Sequence, residues 1–330
     1  MALGEFELIS RFFQRPTRTL PSGVALAGGD DCALLQPKPG HQLAISCDML
    51  VEGRHFFADV DPVALGHKAL AVNLSDLAAC GARPLAFTLA LALPRADETW
   101  LAAFARGLYA LADAHDCELI GGDTTQGPLN ICITVFGEVP VVDDRSQALL
   151  RSGAQEGDDI WVSGTLGQAR LALHALQGRF KLPPELLTTA RARLERPTPR
   201  VALGQALRGI ASAALDLSDG LAGDLGHILQ ASGCGALLQT AALQDLLGVD
   251  AAHSGLSPAQ VLSLVLNGGD DYELLFTAPP TTQAAVQAAA RQAGLPVTRI
   301  GRIEAEPGLR LVDGQGQPVT GEFASFDHFA

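Results

Sequence analysis

Cys117-Glu118-Leu119-Ile120-Gly121-Gly122-Asp123-Thr124-Thr125 turns from apolar to polar within one residue. Cys117–Ile120 has the character of a buried strand, and two glycines, a carboxylate and two hydroxyls follow at once. Glycines at a strand end let the backbone approach a ligand closely, because no Cβ intervenes. An aspartate there offers hard oxygens to a divalent cation. One Gly-Gly-Asp sequence is an ordinary turn, but here the device repeats. It recurs as Gly28-Gly29-Asp30-Asp31, Ser46-Cys47-Asp48, Asp216-Leu217-Ser218-Asp219-Gly220 and Gly268-Gly269-Asp270-Asp271, with Asp76 on an intervening helix.

Around these loops the chain alternates strands and helices. Glu5–Phe13 has apolar residues at helical spacing. Short strands are expected at Cys32–Leu35 and Leu43–Cys47. Asp61-Pro62 reads as an N-cap and first helical residue, opening a helix that carries Asn73 and Asp76 and stops at Gly81. A strand at Leu85–Leu93, a helix at Glu98–Ala114 and a strand at Leu129–Val139 complete the first half. The composition turns polar around Val141–Gly157, which sets two domains, 1–145 and 146–330. The second half reads as strands at Asp159–Ser163, Ala213–Leu217, Leu274–Thr277, Val297–Ile303 and Leu309–Val312. Helices are expected at Arg191–Gly209 (broken by Pro197 and Pro199), Leu221–Ala231, Pro258–Leu266 and Thr282–Ala293. The fold class is α/β or α+β in two domains, as 330 residues exceed one core.

Hydrophobic residues make up 48% of the chain and charged ones 18%, a globular composition. No apolar run is long enough to cross a bilayer, and the N-terminus has no secretory pattern, so a cytoplasmic location is expected. A net charge of −13 argues against nucleic-acid or anionic-membrane surfaces. It allows a phosphorylated substrate if metal ions carry the local positive charge. Six cysteines without a Cys-x-x-Cys pair read as reduced, mostly buried, small hydrophobic residues. Gly164-Thr165-Leu166-Gly167 lacks the Gly-Lys-Ser/Thr ending of a P-loop and reads as a plain helix start. Arg191, Arg193 and Arg196 read as a solvated helix face.

Each aspartate taken singly caps a helix or makes an Asx turn. As a set they would repel and raise one another's pKa unless something positive lay between them. These loops contain no matching Lys/Arg clusters, so Mg²⁺ is the expected counter-charge; oxygen-only donors favour it, or Mn²⁺, over zinc. Such an ion keeps positions for nucleotide phosphates, which points to phosphoryl transfer. No Walker A or kinase catalytic-loop sequence is present.

Taken in order, Gly29-Asp30-Asp31-Cys32-Ala33, Ser46-Cys47-Asp48 with Val51-Glu52-Gly53-Arg54-His55-Phe56, Asn73–Ala79, Gly121–Thr125, Asp216–Gly220, Gly268–Leu274 and Asp327-His328-Phe329 resemble the motif series of the thiamine-monophosphate kinase family. The resemblance spans nearly the whole chain. It implies ATP and thiamine monophosphate as substrates, thiamine diphosphate and ADP as products, and Mg²⁺ as the metal, in the last step of thiamine diphosphate biosynthesis. It also implies a homodimer whose N-terminal sheets pair, a C-terminal α/β sandwich, and an active site in the cleft between domains. The metal ligands it implies are Asp31, Ser46, Cys47 (by its backbone), Asp48, Asp76, Asp123, Asp216 and Asp219. Nucleotide contacts would be Asp31, Tyr109, Gly122, Asp123, Arg151 and Ser218, and substrate contacts His55, Asp270 and Phe326. Catalysis would rest on Asp123, Asp219 and Arg151 with no general base.

The sequence departs from the family pattern at Cys47 (usually a hydroxyl residue), at Asp270 (usually Glu) and at Ala27-Gly28-Gly29. Apart from the resemblance, Tyr109 reads as core, His55 as a loop-edge residue, and Phe326 as either a packing or a stacking aromatic. Two alternatives stand beside the kinase: another ATP-dependent synthetase or dehydratase of the same architecture, and a non-catalytic metal- or nucleotide-binding module.

Overall fold

The computed structural model describes residues 4–15, 19–28, 30–249 and 254–319. They form two compact units. The first takes the described residues up to Leu77 together with Ala82–Gln147; the second takes Ala78–Gly81 and the described residues from Ala148 on.

The first unit contains α1 (Glu5–Phe12), a small ribbon of β1 (Val24–Leu26) and β2 (Leu34–Leu35), β3 (His41–Val51), α2 (Pro62–Ala79), β4 (Arg83–Leu93), α3 (Glu98–Ala114), β5 (Glu118–Gln126), β6 (Asn130–Val142) and β7 (Arg145–Ser146). The main sheet runs β3-β6-β4-β5, with β7 added to β6. β4 and β5 are parallel, so they need a crossover, and α3 supplies it. The Asp61 side chain accepts the Val63 N–H at 2.7 Å, the cap read from Asp61-Pro62. Asp97 caps α3 likewise, accepting from Thr99 and Trp100.

The helices cross with almost no side chain between them. A Cβ on Gly107 would lie 1.9 Å from the Val63 carbonyl oxygen, and one on Gly66 2.1 Å from that of Phe104. Leu65, Leu70, Leu74, Leu101, Phe104 and Leu108 are fully buried at this layer.

Two expectations are corrected here. Gly121–Thr125 is not a loop after a strand but the second half of β5. Ile120 is the extra residue of a bulge, because Leu119 pairs with Phe87 and Gly121 with Thr88. Beyond it β5 comes so near β4 that a Cβ on Gly122, at φ 147°, would lie 1.8 Å from the Leu89 carbonyl oxygen. Asp48 likewise stands inside β3, which continues to Val51.

The second unit is a six-stranded sheet. Its elements are β8 (Asp159–Ser163), α4 (Gln168–Leu176), α5 (Pro184–Glu195), α6 (Val201–Ala206), β9 (Ala213–Asp216), α7 (Leu221–Ser232), β10 (Gly235–Gln239), α8 (Thr240–Asp245), α9 (Pro258–Asn267), β11 (Leu274–Ala278), α10 (Gln283–Ala293), β12 (Val297–Glu304) and β13 (Gly308–Val312). The order is β13-β10-β12-β8-β11-β9, antiparallel except for β10 with β13. Every residue of β8, β9 and β11 is buried, as expected of strands covered on both faces. A capping box of Ser257 and Gln260 starts α9.

The close crossing of α2 and α3 predicts that Gly107→Ala destabilises the protein by about 1–3 kcal/mol through overpacking. Urea denaturation measures it, and an unchanged midpoint would mean that the helices do not touch at this point.

Candidate functional site

In the first unit the polar residues of β3 meet those of α2. Pairing along the sheet puts Ser46, Asp48 and Leu50 on the face shared with Val135, Ile133 and Ile131, which are buried. Asn73 and Asp76, three residues apart on α2, occupy one side of that helix. The Ser46 hydroxyl donates to Asp76 Oδ2, and Asn73 Oδ1 accepts the Asp48 N–H at 3.0 Å. The structure therefore brings Ser46, Asp48 and Asp76 together.

Asp123 is placed differently. It pairs with Ala90, which pairs with Cys132, which pairs with Met49, so all four share the opposite face of the sheet. Cys47 also lies on that face, with its Sγ 3.4 Å from that of Cys132. Burial, then contact with Cys47 and the charge of Asp48, pushes the Cys132 thiol up to about 11.

Asp31 is exposed, its N–H bound by the Asp30 side chain at 2.9 Å. His55 folds back over the end of β3, its Nδ1 accepting the Val51 N–H at 3.0 Å. Tyr109 is engaged within this unit: its hydroxyl donates to the Phe13 carbonyl at 2.8 Å, and the Arg15 guanidinium stacks on its ring at 3.9 Å. Phe326 and the Asp327-His328-Phe329 tail lie outside the described residues.

In the second unit two sequence motifs are zipped together by their backbones. β9 and β11 are antiparallel neighbours with Asp216 opposite Leu274, and the pairing continues past both strands. Leu217 N–H donates to the Glu273 carbonyl at 2.9 Å, Tyr272 N–H to Leu217 at 2.8 Å and Asp270 N–H to Ser218 at 2.8 Å. A Cβ on Gly269 would lie 2.5 Å from the Ser218 carbonyl oxygen, so glycine is required there. Asp216, Ser218, Asp219 and Asp270 are thus one assembly.

Two more acidic residues complete it, Asp224, which the sequence reading did not single out, and Asp271 of the Gly268–Asp271 motif. Asp224, in the first turn of α7, accepts the N–H groups of Asp219 and Gly220 at 3.1 and 3.0 Å. Burial pushes its carboxyl up to about 6, with the Asp219 charge adding to it; the two N–H groups and Arg151 pull the other way. The sequence signal was an Asp in the first turn of a helix whose N-cap is a glycine. Asp271 is buried and its Oδ2 accepts the Gly167 N–H at 2.7 Å. Burial raises it well above the usual carboxylate range.

Arg193 departs from the expected solvated face. It and Arg200 converge on Glu273, whose side chain is fully buried.

Among the described residues no three Asp, Glu, His or Cys side chains close on one point. The oxygen donors come instead in small groups, such as Ser46 with Asp76. That chemistry fits Mg²⁺, which binds through one or two carboxylates and fills its other positions with water and phosphate oxygens.

Both halves of the chain have counterparts among known proteins. Residues 29–139 match the N-terminal domain of AIR synthase related proteins, and residues 155–314 their C-terminal domain. A thiamine-monophosphate kinase of Salmonella typhimurium is 49% identical over 334 residues, covering 100% of this chain and 99% of the relative. The crystal structure of the thiamine-monophosphate kinase from Stenotrophomonas maltophilia K279a superposes with a TM-score of 0.82 at 45% identity, covering 97% of this chain and 99% of that one. AaThiL complexed with AMPPCP and TMP superposes at 0.74 and 29% identity, covering 89% of each chain.

The Asp224 geometry generates a prediction for metal-free buffer. The folded state holds this proton up to about pH 6, whereas the unfolded carboxyl titrates near 4. The folded state binds more protons in that window, so the group's contribution to stability falls as pH rises from about 4 to about 6 and is flat above. Asp224→Asn should flatten that slope. Asp224→Ala should cost about 1–3 kcal/mol by leaving the N–H groups without an acceptor. Denaturant unfolding across this pH range reads both effects, and an Asn variant retaining the wild-type slope would contradict the assignment.

Proposed function

The chain belongs to the thiamine-monophosphate kinase family, and from that premise we infer how its residues share the work of the reaction. It transfers the terminal phosphoryl group of ATP to thiamine monophosphate, giving thiamine diphosphate and ADP. The observation that carries this is the end-to-end match to kinases of that name, both domains included.

The nucleophile is a phosphate oxygen of thiamine monophosphate. With a second pKa near 6 it is ionised at neutral pH, so no side chain has to remove a proton. The obstacle is repulsion between two anions. We assign Asp31, Ser46, Asp48 and Asp76 in the first domain, Asp123 on the opposite face of the same sheet, and Asp216 and Asp219 in the second domain, as oxygen donors for several Mg²⁺ ions. Mg²⁺, when bound, neutralises phosphate charge and orients the reacting groups. Cys47 belongs to this set only through its backbone, since its side chain lies with Cys132. Arg151, whose charge reaches Asp224, supplies fixed positive charge to the transferring group. Ser218 and Gly122 line the nucleotide. His55, Asp270 and Phe326 are our candidates for contacts to thiamine monophosphate. The Arg15-covered ring of Tyr109 suits a supporting place beside the nucleotide rather than a stacking one.

We also assign a homodimer through the first domain's sheet. Leu43, Ile45 and Met49 form an apolar stripe on its outer face, each about half exposed (45%, 60% and 51%), and such stripes mark association surfaces. Among the described residues no helix is long and apolar enough to cross a membrane.

Phosphorus NMR of the protein with ATP, Mg²⁺ and thiamine monophosphate should show thiamine diphosphate and ADP in equal amounts, only when all three are present. ADP with free phosphate and no thiamine diphosphate would instead indicate a synthetase acting on another substrate. Asp219→Asn should lower turnover by about 10²–10³-fold with the fold intact by circular dichroism; near-normal turnover would remove Asp219 from the site. Ile45→Lys should shift the protein to a monomer in sedimentation velocity, and an unchanged dimer would place the interface elsewhere.

A further inference from the structure

Glu273 is a fully buried acid, and the reaction gives it no task. Its side chain has no exposure, yet it is held by charge rather than apolar packing. Arg193 donates to Oε1 at 2.6 Å and Arg200 Nε to Oε2 at 2.6 Å, with the Arg200 fork closing on Oε1 as well. Ser163 at the end of β8 donates to Oε2 at 2.6 Å and accepts the Leu274 N–H at 2.9 Å. Gly164 is pressed so close that a Cβ there would lie 2.2 Å from Oε1. Three elements (α5, the segment entering α6, and β8) therefore converge on one carboxylate. Isolated buried charges are costly unless paired and hydrogen-bonded, so this carboxylate is held tightly in place.

What it holds is the segment just before it. Asp270 and Tyr272 both have left-handed backbones, at φ 67° and 51°, a conformation that side-chain-bearing residues adopt only when their surroundings enforce it. The segment is pinned at three sides: by the Leu217 and Ser218 carbonyls, by the Asp271 carboxyl on the Gly167 N–H, and by the Glu273 clamp at its exit.

We propose that Glu273, clamped by Arg193, Arg200 and Ser163, is the positioning residue that fixes Asp270 against the Ser218–Asp219 loop. The substrate-facing carboxylate and the metal-binding loop are thereby set as one rigid unit. The proposal rests on the reading of Asp270 as a contact to thiamine monophosphate. Asp270 is one methylene shorter than glutamate, so its reach depends wholly on where its backbone is held.

The test is a double-mutant cycle on the full-length protein with Mg²⁺-ATP, combining Glu273→Gln and Asp270→Ala. Glu273→Gln keeps the shape but removes the charge that both guanidiniums bind. It should raise the KM for thiamine monophosphate at least tenfold, with the KM for ATP within about twofold of wild type. In the Asp270→Ala background it should add less than twofold, because the residue through which it acts is gone. Glu273→Asp, which restores the charge at shorter reach, should recover part of the KM. Should Glu273→Gln not fold, Arg193→Lys leaves Arg200 in place and takes its role in the cycle. Effects that multiply in the double mutant, or a fall in kcat with both KM values unchanged, would overturn the clamp while leaving Asp270 as a substrate contact. An Asp270→Ala variant with wild-type KM for thiamine monophosphate would refute the reading of Asp270, and the clamp with it.

Discussion

Carboxylates brought near one another repel, and in a chain of net charge −13 there are few cations to separate them. Much of the local structure around the acidic motifs answers that constraint. Where burial outweighs the pull of a nearby arginine, the carboxyl keeps its proton more firmly, as at Asp224 beside Arg151 and Asp271 beside Arg193. Elsewhere neutral donors are spent on it: the Ser46 hydroxyl on Asp76, and backbone N–H groups on Asp30, Asp224 and Asp271. Two arginines converge on Glu273, an acid that no metal or phosphate would reach in our reading. In our reading a metal–nucleotide complex brings further positive charge to the remaining motif aspartates.

The two domains meet this constraint with different backbone devices. In the first, helices that touch through glycine carry Asn73 and Asp76 to a strand. In the second, two strand ends run on as a backbone zipper, so that residues 216–219 and 270–273 share one geometry. In both, the acidic side chains stand on regular elements or on segments locked to them, and that rigidity suits catalysis by positioning.

Much of this was legible in the sequence. The caps at Asp61 and Gly81, the helix Glu98–Ala114 and the strand Asp159–Ser163 follow from local rules, and the structure has them at those bounds or within a residue or two. The motif series also located the acidic groups. What was not legible depends on long-range pairing. Gly121–Thr125 has turn-forming residues, and only the bulge against β4 makes them strand. The opposite-face placement of Asp123 and Asp48 follows from register, which sequence spacing does not encode. The partnership of Arg193 and Arg200 with Glu273 spans about 70–80 residues, and nothing local distinguishes those arginines from solvated ones. Gly235–Gln239 and the short helix after it were missed because four small or apolar residues and a glutamine carry no period.

The bond from Asn73 to the Asp48 N–H has a consequence for how the protein behaves at high concentration. β3 is an edge strand of eleven residues, long enough to template another strand. Since Asp48 offers its N–H to a helix side chain, that group points away from β6, along the open edge. Asn73 therefore occupies the middle of the edge and interrupts the row of donors that an incoming strand would need. The residue that ties β3 to α2 thereby also blunts the edge of its sheet.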